Sequence, residues 1–234
     1  MPVTSSSETF ATFFDDWLNH HRQLIEQLAH FADEASTSVT QVEEESLVTK
    51  FLSHCLQYYQ EKSSAMSVAG EDLYDFFSPP WLNSYEKLIL WIGGFKPGMV
   101  FKLITTSVND LTSHQKDQLE SIRLETQRRE RALTRGFALL QQSVGDPLLM
   151  VRFKNIGALR LGEREQPGMK EEEAMEVLKK EMTEVMKNAD QLRCVTVEKV
   201  VEVLNPRQAV KLLRAVGEFY LRLRDLGVQI ETLL

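Results

Sequence analysis

The sequence predicts an all-α protein, built as a single-domain bundle of about five long helices with additional short helices. Apolar residues recur at steps of three and four along most of the 234-residue chain, which is the spacing of one helix face. The chain has only 11 glycines and 7 prolines, so turns should be few and elements long. No convincing pair of alternating strands occurs. With 43% hydrophobic residues, a chain of this length can bury a core without a disulfide or a metal.

The first long helix is predicted from about residue 7 to residue 35, next to a flexible N-terminus at residues 1–7. Ser5 and Glu8 have the spacing of a capping box, in which each side chain bonds the backbone N–H of the other residue. One apolar stripe should pack this helix against partners of similar length. The stripe consists of Phe10, Phe14, Trp17, His21, Leu24, Leu28, Phe31 and Ala35.

Two further long helices are predicted from capping boxes of the same kind. Thr40 and Glu43 start a helix that ends near residue 67. Thr112 and Gln115 start another helix that ends near residue 144.

The remaining elements are predicted from helix start and stop signals. They are a helix from Ser78 to Gly93, a short helix from Pro97, a loop with a helical turn over 148–168, a long helix over 169–204, and a last helix from Asn205 to Leu226 that Gly227 ends. Together the predicted helices form one domain over residues 8–230.

Charge, cysteine content and hydropathy exclude several classes of protein. The net charge of −7 makes the chain a poor general binder of nucleic acid, because phosphates attract clustered positive charge. Two cysteines, Cys55 and Cys194, are too few for a disulfide scaffold or a zinc site, which favours a reducing compartment. We find no secretory signal and no apolar run of about 18 residues, so we expect no membrane contact.

No motif for catalysis or metal binding is recognised. A zincin needs two histidines on one helix face with a glutamate between them, and none of the five histidines has that spacing. His21 is therefore interpreted as a hydrogen-bonded residue of the core or its boundary. Gly93 and Gly94 lack the context of a phosphate-binding loop and are interpreted as a helix end and a tight turn. We expect no enzyme activity, no metal and no cofactor.

Basic residues are concentrated on two predicted helices. Four arginines over residues 128–135 are not followed by leucine heptads, so this run is interpreted as a solvated face. The last helix carries Arg207, Lys211 and Arg214, which either belong to the packed bundle or bind a partner.

Aromatic residues surround the two adjacent glycines. Trp81, Trp91 and Phe95 lie close to Gly93 and Gly94 in the sequence. Such residues are either core anchors or, where exposed, a partner-binding corner. We therefore treat all five residues as candidate partner-binding positions.

Three blocks taken together resemble the plant delay-of-germination domain. Residues 79–104, PPWLNSYEKLILWIGGFKPGMVFKLI, are similar to its tryptophan–glycine block. Residues 189–227, ADQLRCVTVEKVVEVLNPRQAVKLLRAVGEFYLRLRDLG, are similar to its C-terminal block. Residues 10–28, FATFFDDWLNHHRQLIEQL, are similar to its first helix. The resemblance covers about residues 8–230. This domain also forms the C-terminal half of TGA-type basic-leucine-zipper transcription factors, and the present chain resembles the stand-alone class.

The resemblance implies a non-enzymatic plant regulatory protein with a role in seed dormancy, development or transcriptional control. The implied partners are transcription factors, coregulators and type 2C phosphatases, and the implied location is the nucleus or the cytoplasm. No sequence-specific DNA binding by the chain alone is expected. A homo-oligomer, a fatty-acyl ligand, and a lipid or haem sensor built in the bundle stay open as alternatives.

The chain departs from the dormancy-type relatives at two positions of the last helix. The resemblance implies two histidines four residues apart in the last helix, associated with haem. With the terminal glycine aligned to Gly227, those positions hold Tyr220 and Arg224. Arginine does not ligate iron, so we expect no haem there.

Overall fold

The computed structural model describes residues 6–33, 40–68, 70–143 and 171–233. These residues form seven α-helices and one 3-10 helix, with no strand among them, which confirms the all-α prediction. The elements are α1 (Ser6–Asp33), α2 (Gln41–Val68), the 3-10 helix (Gly70–Phe76), α3 (Ser84–Leu88), α4 (Met99–Ser107), α5 (Ser113–Ser143), α6 (Glu171–Val203) and α7 (Pro206–Glu231).

Helix α7 is the element around which the bundle is assembled. It packs against α1, α2, α3 and α4, while α5 and α6 pair with each other. Buried apolar residues form two clusters, one around Leu24, Phe51 and Leu213 and the other around Phe14 and Met186. The long helices therefore share their apolar faces as the sequence periodicity predicts.

Capping boxes start several of these helices. Thr40 N donates to Glu43 Oε2 at 2.8 Å, and Glu43 N donates back to Thr40 Oγ1 at 3.3 Å. The same reciprocal bonds join Thr112 and Gln115. Both predicted helix starts are confirmed, because this signal is local.

The predicted helix from Ser78 to Gly93 is wrong. Only α3 is helical in this stretch, and Asn83 rather than Ser78 caps it, by accepting a 2.9 Å hydrogen bond from Glu86 N. Beyond Leu88 the chain leaves the helix, and the carbonyl oxygens of residues 91–93 and of Phe95 accept hydrogen bonds from side chains of α2 and α6.

The predicted helix end at Gly227 is also wrong, because α7 continues to Glu231. Gly227 instead permits close packing, since a Cβ atom there would lie 2.2 Å from Asn83 Oδ1. Glu231 accepts hydrogen bonds from Ser84 N at 2.8 Å and Ser84 Oγ at 2.7 Å. The last turn of α7 thus ties to the start of α3.

Some predictions concern residues that the structure does not describe. The N-terminal residues 1–5, including Ser5 of the first capping box, and the loop predicted at 148–168 lie outside the described residues. Helix α1 begins at Ser6.

Candidate functional site

A mostly apolar cavity of about 190 Å³ lies between α1, α2, α4, α6 and α7. Trp17 and His21 line it from α1, Phe51 from α2, and Tyr220 from α7. The segment Trp91–Phe95, here named the 91–95 turn, lies beside the cavity, with Gly93, Gly94 and Phe95 among its lining residues. The size exceeds that of an apolar cavity of about 150 Å³ that accommodates benzene in another protein.

Arg193 holds the 91–95 turn in place. Its Nε donates to the Phe95 carbonyl oxygen at 2.7 Å, and its Nη2 donates to the carbonyl oxygens of Trp91 and Ile92, the latter at 3.0 Å. The guanidinium also lies 5.4 Å from the centre of the Trp91 ring, within the range of a cation–π contact. One side chain therefore satisfies three backbone acceptors of a segment that has no helix of its own.

The backbone of this turn is strained at Ile92. Ile92 has φ 47° and Gly93 has φ 64°, both in the left-handed region. A β-branched residue rarely adopts this conformation, whereas glycine does so readily. Such a conformation persists only where surrounding contacts fix it, and the bonds from Arg193 provide that restraint.

Lys62, Asp190 and Arg193 form a buried charge cluster behind the turn. Lys62 is fully buried, and its Nζ lies 3.0 Å from Asp190 Oδ2 and 2.9 Å from the Gly93 carbonyl oxygen. Arg193 Nη1 bonds to the other carboxylate oxygen of Asp190. Burial lowers the pKa of Lys62, while Asp190 opposes that shift. Each charge in the cluster has a partner within the chain, so the cluster serves to position the backbone of the 91–95 turn.

A group of aromatic rings and histidines packs beside the cavity, and Trp17 and His21 are its members that line the space. The Trp17 ring centre lies 4.6 Å from those of His21 and His54, in stacked arrangements. Burial, followed by the charge of His54, lowers the pKa of His21 to about 3. Burial, followed by the charge of His20, lowers the pKa of His54 to about 4. Both imidazoles are therefore neutral at pH 7.

His21 was predicted to be a hydrogen-bonded core or boundary residue, and its burial agrees with that prediction. Only 4% of its surface is exposed. However, His21 Nδ1 has no hydrogen-bond partner among the described residues. A buried polar atom of this kind is uncommon in native proteins.

Of the two positions at which the family resemblance implies haem histidines, Arg224 forms an ion pair with Glu86, and Tyr220 hydrogen-bonds to the same carboxyl group. Arg224 Nη1 lies 3.0 Å from Glu86 Oε2 and also donates to the Trp81 carbonyl oxygen at 3.3 Å. Glu86 is fully buried, and burial raises the pKa of the Tyr220 hydroxyl well above its usual value. The guanidinium thus joins α7 to α3.

The aromatic candidates differ in burial. Trp81 is 9% exposed and belongs to the core cluster that includes Phe14. Trp91 is half-buried, and its Nε1 donates to Thr134 Oγ1 at 2.9 Å. Phe95 is half-buried and packs edge-on to Tyr220. Whether any of them contacts a partner stays a prediction.

The basic candidates occupy one row on α7. Arg207 donates to the Phe31 carbonyl oxygen at 2.6 Å, and Arg214 pairs with Glu218 at 2.7 Å. Lys211 lies between them in the sequence and is half-buried, and no described residue forms an ion pair with it. Lys211 is therefore the member of this row whose charge is available to a partner.

Sequence reasoning missed Lys62, Glu86, Asp190 and Arg193. A signal for two of them exists: Lys62 continues the apolar stripe of α2 between Tyr59 and Met66, and Arg193 interrupts the stripe of α6. A charge on an apolar helix face is informative, because a buried charge needs a partner.

Clusters of metal-ligand residues and membrane-spanning helices are both absent from the described part of the chain. They contain no group of three or more His, Cys, Asp or Glu residues that could hold a metal ion. Among these same residues, no helix has the length and hydropathy needed to cross a bilayer. Burial raises the pKa of the Cys55 thiol, which lines the cavity, to about 12, so this thiol stays protonated at pH 7.

Comparison with known proteins gives consistent matches. A family model described as "DOG1: Seed dormancy control" matches residues 23–106. The chain is 81% identical to Protein ZW2 of Arabidopsis thaliana, over 97% of the chain and 100% of that protein. It is 55% identical to Protein RESPONSE TO ABA AND SALT 1 of Arabidopsis thaliana, over 96% of the chain and 97% of that protein. It is 29% identical to Transcription factor TGA4 of the same plant, over 96% of the chain and 57% of that factor.

Proposed function

This chain belongs to the DOG1 seed-dormancy-control family, and we propose that it is a non-enzymatic regulatory protein that acts by binding other proteins. The family resemblance predicted from the three sequence blocks is confirmed by these matches. Similarity to Transcription factor TGA4 and Transcription factor TGA3 supports a plant regulatory role.

The observation that carries the proposal is how the chain uses its buried charges. Lys62 and Arg193 donate to backbone carbonyl groups of the 91–95 turn and to Asp190. An active site instead presents titratable groups to a cleft, where they can reach a substrate. Here these groups stabilise a rigid scaffold, which is what a binding module requires.

The family resemblance supports a finer proposal for the biological role. The process is seed dormancy, seed development or transcriptional control, and the partners are transcription factors, coregulators or type 2C phosphatases. The chain acts in the nucleus or the cytoplasm and has no specific DNA site of its own. Its net charge of −7 supports contact with DNA only through a protein partner.

The row of basic residues on α7 is the proposed partner-binding surface, with Trp91 as a second candidate. Arg207 and Arg214 are engaged within the chain, whereas Lys211 is available. A positive charge at the rim of an interface steers acidic partners and excludes basic ones. We therefore propose an acidic patch on the partner.

Affinity purification from plant tissue tests this proposal. The tagged chain, the variant Lys211→Glu and the matched control Lys180→Glu, which changes an exposed lysine on α6, are purified in parallel. Proteins and extracted small molecules are both identified by mass spectrometry. The proposal expects a regulatory protein in amounts comparable to the chain, reduced by Lys211→Glu and retained by Lys180→Glu. Recovery of no such protein with any of the three would contradict it.

A small-ligand sensor is the second candidate, and the cavity is the observation that favours it. A volume of about 190 Å³ lies below the roughly 300–1,000 Å³ of sites for drug-sized ligands. Haem is larger than such ligands, and a complete fatty-acyl chain exceeds the cavity as well. The cavity therefore favours a smaller ligand than the lipid or haem considered from the sequence.

A further inference from the structure

Three arginines form a row on the outer face of α5. Arg128, Arg131 and Arg135, here named the α5 row, are all exposed, and they follow the steps of three and four that keep side chains on one helix face. Thr126, on the opposite face, is buried, and its Oγ1 lies 3.4 Å from Thr196 Oγ1 on α6. The arginines are therefore turned away from α6 and towards solvent.

The described part of the chain supplies no acidic partner for the α5 row. Within that part, no carboxylate forms an ion pair with any of the three arginines. The three glutamates of α5 are each paired with another cation: Glu120 with Arg123, Glu125 with Lys199, and Glu130 with Lys96. Like charges at these helical spacings repel one another. An acidic group of another molecule that contacts the row therefore removes an unfavourable interaction.

Apolar side chains lie at both ends of the α5 row. Leu124 is 55% exposed and Leu139 is 47% exposed. They lie four residues before Arg128 and four residues after Arg135, which places them on the same helix face. Leu124 and the three arginines also line a surface concavity of about 320 Å³. This face thus combines a line of positive charge with an apolar contact at each end.

We propose that the α5 row is a docking surface for an acidic amphipathic helix of a partner protein, whose carboxylates pair with the three arginines. The inference rests on the proposed protein-binding function and adds a surface separate from the basic row on α7. It also names the chemistry of the partner segment. That segment carries glutamate or aspartate at steps of three and four, with an apolar residue towards each end.

The length of the row favours a helix over a single anionic group. With a rise of about 1.5 Å per residue, Arg128 and Arg135 are about 10 Å apart along α5, and the two leucines are about 22 Å apart. A single phosphoryl group leaves part of the row and both leucines uncovered. Acidic residues on a second helix repeat at the same spacing as the arginines, and each guanidinium can form paired hydrogen bonds with a carboxylate.

The charge and composition of the chain disfavour two larger polyanions. The net charge of −7 repels nucleic acid and anionic membranes at long range. Affinity for nucleic acid rises with the number of phosphates that a protein neutralises, and the α5 row offers only three cations. Two separated leucines provide little apolar surface for insertion into a bilayer. A short acidic helix carries fewer charges than either polyanion and also covers both leucines.

Fluorescence anisotropy with the purified full chain and a labelled peptide tests the inference. The probe is a synthetic peptide of about 20 residues, long enough to be helical alone, with glutamates at steps of three and four between two leucines. In the comparison peptide every glutamate is replaced by glutamine, which keeps the shape and removes the charge. We expect the glutamate peptide to bind about tenfold more tightly. This difference should shrink as the salt concentration rises.

Three variants of the chain locate the binding surface. Arg131→Glu reverses the middle charge of the α5 row and should weaken binding of the glutamate peptide by about tenfold or more. Lys116→Glu makes a matched change at an exposed lysine of α5 outside the row, and it should leave binding unchanged. Lys211→Glu on α7 should also leave it unchanged. Thermal unfolding of each variant is measured first, and the glutamine peptide tests the charge requirement without any change to the chain.

The outcomes separate this inference from the proposed function. Equal binding of the two peptides, or wild-type binding by Arg131→Glu, overturns the α5 surface. A loss of binding in Lys211→Glu alone also overturns it, and leaves the proposed function in place by assigning the acidic partner to α7. Vesicles of phosphatidylserine and phosphatidylcholine, and an unstructured phosphoserine peptide of equal net charge, are titrated in parallel. Tighter binding of either than of the glutamate peptide overturns the choice of an acidic helix.

Discussion

Arg193 Nε on α6 donates a 2.7 Å hydrogen bond to the carbonyl oxygen of Phe95, which lines the cavity. The two residues are far apart in the sequence, and their contact fixes a turn that has no regular structure of its own. The geometry of the cavity therefore depends on a buried charge of another helix.

Replacement of Arg193 should destabilise the protein strongly. Arg193→Met leaves three backbone carbonyl groups without their donor and Asp190 with Lys62 as its remaining partner. Removal of one member of a buried ion pair costs about 3–5 kcal/mol. Chemical denaturation monitored by circular dichroism should show a loss of this size in the free energy of unfolding.

The control is Arg222→Met, which removes a pair with Glu218 on the surface of α7. The Arg222 side chain is 76% exposed, so the free energy of unfolding should hardly change. Equal effects of the two substitutions would show that the buried charge cluster is unimportant for stability.

Two glycine-to-alanine substitutions should have opposite effects. A Cβ atom at Gly227 would lie 2.2 Å from Asn83 Oδ1, so Gly227→Ala should destabilise by about 1–3 kcal/mol. A Cβ atom at Gly136 in α5 meets nothing within 4 Å, so Gly136→Ala should stabilise by about 0.5–1 kcal/mol. Thermal unfolding of both variants measures the difference. A stabilised Gly227→Ala protein would refute the close packing of α7 on Asn83.

Acidification below pH 6.5 should destabilise the protein through its buried histidines. In the folded chain the pKa of His21 is about 3 and that of His54 about 4, whereas an unfolded histidine titrates near 6.5. The unfolded state therefore binds more protons as the pH falls from about 6.5 towards 4, and stability falls with it. His21 alone contributes a slope of at most about 1.4 kcal/mol per pH unit.

Urea denaturation of the wild type and of His21→Phe between pH 7.5 and 5 isolates this contribution. The variant should lose less stability across the range, whereas His114→Gln, at an exposed histidine, should behave as the wild type does. The same pH dependence in all three proteins would mean that the pKa of His21 is not lowered in the folded chain.

Hemin should not bind at Tyr220 and Arg224. Arg224 is engaged with Glu86, and the Tyr220 hydroxyl is held protonated by burial, so neither presents a ligand to iron. Absorbance titration with hemin should give no sharp Soret shift. A sharp shift that disappears in Tyr220→Phe would contradict this.

The long helices could be predicted because their signals are local. Thr40 with Glu43 and Thr112 with Gln115 are three residues apart, and the structure forms both capping boxes. The apolar stripe of α1 likewise depends on spacing within one segment, and most of its members are buried.

The turn and the cavity could not be predicted, because distant residues determine them. Hydrogen bonds from Lys62 and Arg193 hold the 91–95 turn in a non-helical conformation. The local spacing of apolar residues instead predicts that the helix continues through this segment. The sequence predicts that Gly227 ends the helix. Only the close approach of Asn83 in the folded chain explains why glycine occupies this position. The unpaired nitrogen of His21 is likewise a property of the packed bundle.

The central claim, that this chain acts by binding a protein through α7, is tested most directly by one affinity measurement. The partner isolated from plant tissue is titrated with the wild type, Lys211→Glu and Lys180→Glu. Thermal unfolding is measured first, to establish that both variants are as stable as the wild type. The account predicts that Lys211→Glu weakens binding by about tenfold or more, because a steering charge is reversed, while Lys180→Glu leaves it unchanged. Equal affinities of the three proteins would contradict the account.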